Sequence, residues 1–254
     1  MVQREAVRTV IGIIGTLNLQ VAWSSTVLGL LGFTDIGETY KQIIKRKDVE
    51  EYSPWPALFT VLNCAMWVFY GMPFVHPHST LVYTINGIGC VIELSYLIIY
   101  VIYANKKQRR LLGSAFALVL AFFVLVVVLI MLLLHTTSKR SLPTGIICVV
   151  LNICMYASPV FAARKVIKTK SVEYYGFWLL VANFSNGLIW VVYALLRFDL
   201  YLTISNGCGA VFGLAQLILY WCYYKSTPKG PDGGSNKNRA EVQLTKSDVK
   251  SLPI

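Results

Sequence analysis

Two asparagines stand in the same four-residue frame, Asn86-Gly87-Ile88-Gly89 and Asn206-Gly207-Cys208-Gly209, each inside a long apolar run. A carboxamide carries hydrogen-bond donors and acceptors together, so a matched pair suits the hydroxyls of a neutral polyol. Polar side chains at membrane depth are costly and usually have a reason. Gluing helices together is reason enough for one asparagine; for a symmetric pair with its glycines repeated, we read ligand binding. The glycines themselves read as places of close backbone approach or tight helix packing. A second matched set adds aromatic surface. Trp67 has Asn63 four residues before it, and Trp190 has Asn186. That spacing puts each amide and indole on one helix face. An aromatic face beside amides holds sugar, stacking on its C–H surface while the amides bond its hydroxyls. The alternative is an interfacial aromatic belt, which needs no paired amide.

Other chemistry is thin. Glu93 lies within an apolar run and Asp199 at a short turn, but no chain of acids suggests a proton relay. His76 and His78 flank Pro77 and read as solvated loop groups. The six cysteines lie in or beside apolar runs without CxxC spacing, so neither a metal site nor a disulfide framework is indicated. The fingerprints of serine hydrolases, zinc peptidases, P-loops and dinucleotide sites are missing. We therefore expect no enzyme, no cofactor and no metal.

The elements that carry these residues must be membrane helices. Apolar residues make up 56% of the 254 and charged residues only 14%, against roughly 25% charged in soluble domains. A span needs about 20 apolar residues as helix. Such runs occur near Val10–Gly37, Trp55–Phe74, Leu81–Tyr103, Gly113–Leu134, Pro143–Ala163, Phe177–Leu196 and Leu200–Tyr224. The formal net charge of +11 does not mark a nucleic-acid partner, because the cations cluster between the runs. One alternating set of loops holds Lys41, Lys45, Arg46 and Lys47, then Lys106, Lys107, Arg109 and Arg110, then Arg164, Lys165, Lys168 and Lys170. The other set holds Lys139, Arg140 and Arg197, with Arg4 and Arg8 at the N-terminus. The imbalance predicts an external or lumenal N-terminus and a cytosolic C-terminus. Arg4 and Arg8 followed by Thr9–Val21 and Ala22-Trp23-Ser24-Ser25 also fit the pattern of a signal peptide, the alternative to an uncleaved first span.

The chain repeats itself. Ile43-Ile44-Lys45-Arg46-Lys47-Asp48-Val49-Glu50 matches Val166-Ile167-Lys168-Thr169-Lys170-Ser171-Val172-Glu173. At the same offset Trp55 meets Trp178, Asn63 meets Asn186, Trp67 meets Trp190 and Tyr70 meets Tyr193. A shorter loop then changes the offset by three residues, and Asn86 meets Asn206, Tyr100 meets Tyr220 and Tyr103 meets Tyr223. Spans 1–3 and 5–7 are thus equivalent, and span 4, almost pure Ala, Val, Leu, Phe and Met, is a lipid-facing connector. One extra span restores the orientation of a three-span unit. The expected fold is all-α, with seven transmembrane helices as two parallel three-helix bundles joined by a linker helix. The divisions are residues 1–104, linker 105–140, residues 141–224 and a polar tail, 225–254, read as disordered and cytosolic. Parallel bundles place a pathway between them, with substrate near the midplane.

These residues resemble the plant SWEET family of bidirectional sugar transporters. The likeness is carried by Lys47-Asp48-Val49-Glu50, Leu62-Asn63-Cys64-Ala65-Met66-Trp67-Val68-Phe69-Tyr70-Gly71 and Ile85-Asn86-Gly87-Ile88-Gly89. In the second half it is carried by Ala157-Ser158-Pro159, Lys168–Tyr174 and Leu196-Arg197-Phe198-Asp199. The resemblance implies a facilitative uniporter working by alternating access. It implies a sugar pocket at Asn86, Asn206, Trp67, Trp190, Asn63 and Asn186. It also implies a size-selecting position at Met155 and a gate pair at Tyr70 and Asp199. Met155 with Asn63 and Asn186 is similar to hexose-type members. Helix-bending prolines correspond to Pro56 and Pro159, while Ile36 and Gly176 stand where the other two are expected. The first span departs most, with Gly15-Thr16 near its start and a longer segment to Gly37. The resemblance implies a multi-pass plasma-membrane protein, with the vacuolar membrane as alternative. Small-residue helix faces are compatible with a homo-oligomer, or a hetero-oligomer with related transporters. The competing readings are a seven-helix receptor and a carrier of another small solute. A receptor has no need of the repeat.

Overall fold

The computed structural model describes residues 6–13, 43–49, 52–155, 157–172, 175–196 and 198–227. Seven helices are named here: α1, Trp55–Gly71; α2, Thr80–Tyr103; α3, Lys106–Leu133; α4, Thr137–Met155; α5, Ala157–Thr169; α6, Phe177–Leu195; and α7, Leu200–Tyr223. Residues 6–13 are also helical. Most of the expected first span, the segment read as a signal-peptide alternative and the tail beyond Thr227 lie outside the described residues. Five stretches are long and apolar enough to cross a membrane, with α4 and α5 counted together as Thr137–Thr169. At 17 residues α1 lies just below that length, at the short end of what spans a bilayer.

Local chemistry sets where the helices begin. α3 starts at Lys106, earlier than its apolar run, because Asn105 and Gln108 form a reciprocal capping box. Asn105 Oδ1 accepts from Gln108 N and Gln108 Oε1 accepts from Asn105 N, both at 2.9 Å. The basic cluster Lys106, Lys107, Arg109 and Arg110 is therefore on the helix. α7 starts at Asp199, whose Oδ1 accepts from Leu202 N at 3.1 Å. α1 starts at Pro54 with Pro56 in its first turn, where a proline breaks no hydrogen bond. Pro56 thus sets the start of the helix and does not bend its interior. The interior proline is Pro143 of α4.

The described residues form two compact units, one within Glu38–Asn152, the other within Met1–Gly37 and Ile153–Ile254. In the first, α1 packs on α2 and both touch α3; in the second, α6 packs on α7, which also touches α5. Their cores are built from the same positions. Ile43, Val49 and Tyr100, with Tyr52, Ile99 and Tyr103 against them, fill one. Val166, Val172 and Tyr175, with Leu219, Tyr220 and Tyr223, fill the other. Even the strained backbone repeats. Among the described residues the non-glycine positive φ values fall at Lys47 (55°) and Lys170 (52°), and at His78 (64°) and Phe198 (55°). The first pair follows equivalent basic segments; the second precedes the first residue of α2's and α7's caps. α3 has the exposure expected of a connector, with Leu118 at 72% and Leu132 and Leu133 at 68%.

Close packing does not fall on the first glycine of either asparagine motif. A Cβ on Gly87 meets nothing within 4 Å, and one on Gly207 meets Val191 Cγ2 at 3.9 Å. One tight approach is at Gly187, where a Cβ would lie 2.8 Å from Ala210 N and 3.1 Å from Asn206 O. Both are backbone atoms that no rotamer change can move. Gly187→Ala is expected to push α6 from α7 and cost about 1–3 kcal/mol, read as a fall in apparent melting temperature in detergent. Gly87→Ala should leave that temperature within error, and equal losses in the two would contradict this packing.

Candidate functional site

Each unit carries the same sequence of side chains. In the first, Asn63 and Trp67 are buried on α1, 7% and 4% exposed. In the second, Trp190 is buried on α6 and Asn186 half-buried. The amide oxygens of both Asn63 and Asn186 are buried without a hydrogen-bond partner among the described residues, and so is Trp190 Nε1. An orphaned buried polar group costs about 1–3 kcal/mol. One such atom is an accident; two at equivalent positions are a feature of the repeat. Each such oxygen is free to accept a hydrogen bond.

Asn86 and Asn206 behave differently but again alike. Asn86 Nδ2 donates to Val82 O at 2.8 Å, and Asn206 Nδ2 donates to Leu202 O at 3.0 Å. Each amide is thereby anchored to the preceding turn of its own helix, which orients its oxygen. Both are half-buried, and the open space beside Gly87 leaves room next to the first. The four asparagines bring neutral acceptors and donors and no charge, which suits a neutral polyhydroxylated molecule over an ion. Among the described residues no group of histidine, cysteine and acidic side chains could hold a metal.

The tryptophans mark where the repeat diverges. Trp67 Nε1–H donates to Asn152 Oδ1 of α4 at 3.3 Å, whereas Trp190 Nε1 is one of the orphans. Asn152 was legible by the rule that selected Asn63, as a carboxamide within an apolar run. Met155 is half-buried one turn further along α4. Each tryptophan stands edge-on to a buried tyrosine one turn away, Trp67 to Tyr70 at 5.4 Å and Trp190 to Tyr193 at 5.0 Å. Asp199 is 4% exposed and caps α7. Pro159 lies on α5. His76 is not merely solvated: it is half-buried and stacked on Tyr70 at 4.7 Å.

Known proteins carry the same pattern. The profile of the family described as "Sugar efflux transporter for intercellular exchange" matches residues 30–108 and 143–228. The chain belongs to the SWEET family. It is 48% identical over 223 residues to the Arabidopsis thaliana "Bidirectional sugar transporter SWEET7", covering 87% of this chain and 83% of that one. It is 43% identical over 239 residues to the Arabidopsis thaliana "Bidirectional sugar transporter SWEET5", covering 94% and 95%. A solved eukaryotic SWEET transporter superposes with a TM-score of 0.79 at 29% identity, covering 88% of this chain and 99% of the other. The fold is accordingly the seven-helix, 3+1+3 membrane bundle of that family.

The hydrogen bonding separates satisfied from unsatisfied amides. Asn152→Ala strands the buried Trp67 N–H and should cost about 1–3 kcal/mol of stability. Asn186→Ala removes an orphaned oxygen and should leave the sugar-free melting temperature unchanged or raised. Melting curves of the two variants without sugar check this, and the reverse order would refute the assignment.

Proposed function

We propose that this chain is a facilitative, bidirectional uniporter of sugars, with hexoses such as glucose as substrates, working by alternating access. The observation that carries this reading is the matched pair of buried, unpartnered amide oxygens at Asn63 and Asn186, beside the anchored pair Asn86 and Asn206. Sugar hydroxyls satisfy the amides while Trp67 and Trp190 offer apolar faces. Met155 limits the size of the sugar. Tyr70 and Asp199 close one mouth, since a phenol and a carboxylate can hydrogen-bond. Pro159 lets its helix bend during the cycle, because a proline frees a backbone carbonyl. No charge transfer accompanies the cycle, so net flux follows the sugar gradient alone.

The repeat supports a functional division into residues 1–104, 105–140 and 141–224, followed by the tail 225–254. The loop charges support a cytosolic C-terminus and external N-terminus, and we place the protein in the plasma membrane, surrounded by bilayer lipid. Its small-residue faces fit an oligomer with itself or a related carrier.

Glucose counterflow in proteoliposomes tests the substrate and the pocket together. Wild-type chain should exchange glucose in preference to sucrose, and Asn206→Ala should lose at least about ten-fold, the worth of a lost hydrogen bond to substrate with its partner left unpaired. Exchange at the wild-type rate in Asn206→Ala would remove the pocket; sucrose preference would remove only the hexose assignment.

A further inference from the structure

Three cations crowd the beginning of α3. Lys106, Lys107 and Arg110 are exposed, and among the described residues none of them has a hydrogen-bond or ion-pair partner. Their neighbour Arg109 is placed differently. Its Nη2 donates at 2.8 Å to Ile102 O, a carbonyl of the last turn of α2, where a cation is favourable. Spacings of four and three residues set Arg110 beside both lysines on one helix face, and like charges so placed repel. α3 has no acid in its first turn, and the helix dipole is itself positive at this end. The capping box of Asn105 and Gln108 holds the backbone here, so the three charges stay together.

The basic segments of the repeat are not arranged this way. Lys45 and Arg46 stand on the last residues of the helical stretch 43–46, and Lys168 lies in the last turn of α5. Those are negative helix ends, which favour cations. The segment 45–47 nevertheless adds charge to the start of α3. Ile43 and Val49, on either side of it, share one core with Ala104 and Leu112. Lys45, Arg46, Lys47, Lys106, Lys107, Arg109 and Arg110 thus border one end of the unit, against the acids Asp48, Glu50 and Glu51.

An apolar stripe continues the same helix face. Leu111, Leu118, Leu125 and Leu132 are each more than half exposed. At seven-residue spacing they follow one another along one side of α3, beginning one turn past Lys107. From Leu111 to Leu132 the stripe runs about 30 Å, the thickness of bilayer hydrocarbon. Three cations at the head of a row of bare leucines match a phospholipid, with an anionic headgroup at one end and acyl chains beside it. A second copy of this chain fits this face worse. Two-fold pairing along the stripe would set the two cation triads side by side.

We propose that Lys106, Lys107 and Arg110 form a docking site for the headgroup of an anionic phospholipid whose acyl chains lie along the leucine stripe of α3. The headgroup stands between the cations and lifts their mutual repulsion. Each cation near an anionic membrane surface contributes about five-fold in affinity, and less as salt screens it.

The test is lipid binding to the full chain in neutral detergent, titrated with phosphatidylserine or phosphatidylcholine of the same acyl chains and read by native mass spectrometry. Wild type should bind phosphatidylserine at least about ten-fold more tightly. Lys106→Gln/Lys107→Gln/Arg110→Gln should bring the two lipids within about three-fold of each other. Lys168→Gln/Lys170→Gln/Lys225→Gln removes the same charge from the second unit and should keep most of the preference. No preference in wild type, or equal losses in the two triple variants, would overturn the proposal. Lys106→Arg/Lys107→Arg keeps the charge and should keep the preference; its loss there would show that charge is not what binds. Glycerophosphoserine, the headgroup without acyl chains, should compete only weakly. Competition at the concentration of the intact lipid would mark a free-anion site and sink the lipid assignment.

Discussion

Inside a bilayer a backbone N–H or C=O has no water to turn to, so it must be bonded within its own helix or to another part of the protein. The described spans are helical, and the same constraint makes each polar side chain at that depth a commitment. Most are absorbed locally: Thr84 and Thr203 bond the carbonyl four residues back, and Asn86 and Asn206 do so through one amide hydrogen. Asn63, Asn186 and Trp190 are among the exceptions, with buried atoms that have no partner among the described residues. In hydrocarbon that expense is tolerable when something polar arrives to share it.

Duplication supplied two copies of one frame, and their differences carry as much information as their likeness. Core positions, helix starts and left-handed residues correspond pair by pair. The surroundings of the tryptophans and tyrosines do not. Trp67 is tied to Asn152 while Trp190 is not; Tyr70 is covered by His76 and Tyr193 by Arg8. The packing differs at matched contacts too. Gly187 meets Ala210 almost backbone to backbone, where the first unit has Cys64 and Cys90.

Much of the fold was legible in the sequence because its signals are local or periodic. Apolar runs predicted the spans to within a few residues at Trp55, Tyr103, Phe177 and Leu200. The start of α3 was missed by seven residues, since hydropathy is blind to a capping box built from Asn105 and Gln108. The glycines following Asn86 and Asn206 were read as packing positions; Gly87 borders open space and a Cβ on Gly207 meets Val191 Cγ2 at 3.9 Å, while close approaches are at Gly71, Gly187 and Gly213. Which face of a helix meets its neighbour is not a property of composition. His76 looked like a solvated loop residue because nothing adjacent in sequence announces that Ser141 and Tyr70 will be its neighbours.

The sequence by itself determined the membrane class, the repeat and the matched asparagines and tryptophans, because hydropathy, internal identity and residue chemistry are written along the chain. Tertiary structure alone decided which amide atoms are satisfied and which are not. It alone made Pro56 a helix start and paired His76 with Tyr70 through Ser141. The physical reason is that a hydrogen bond or ring stack depends on ångström placement between residues such as Ser141 and His76, far apart in the chain, and only folding sets that distance.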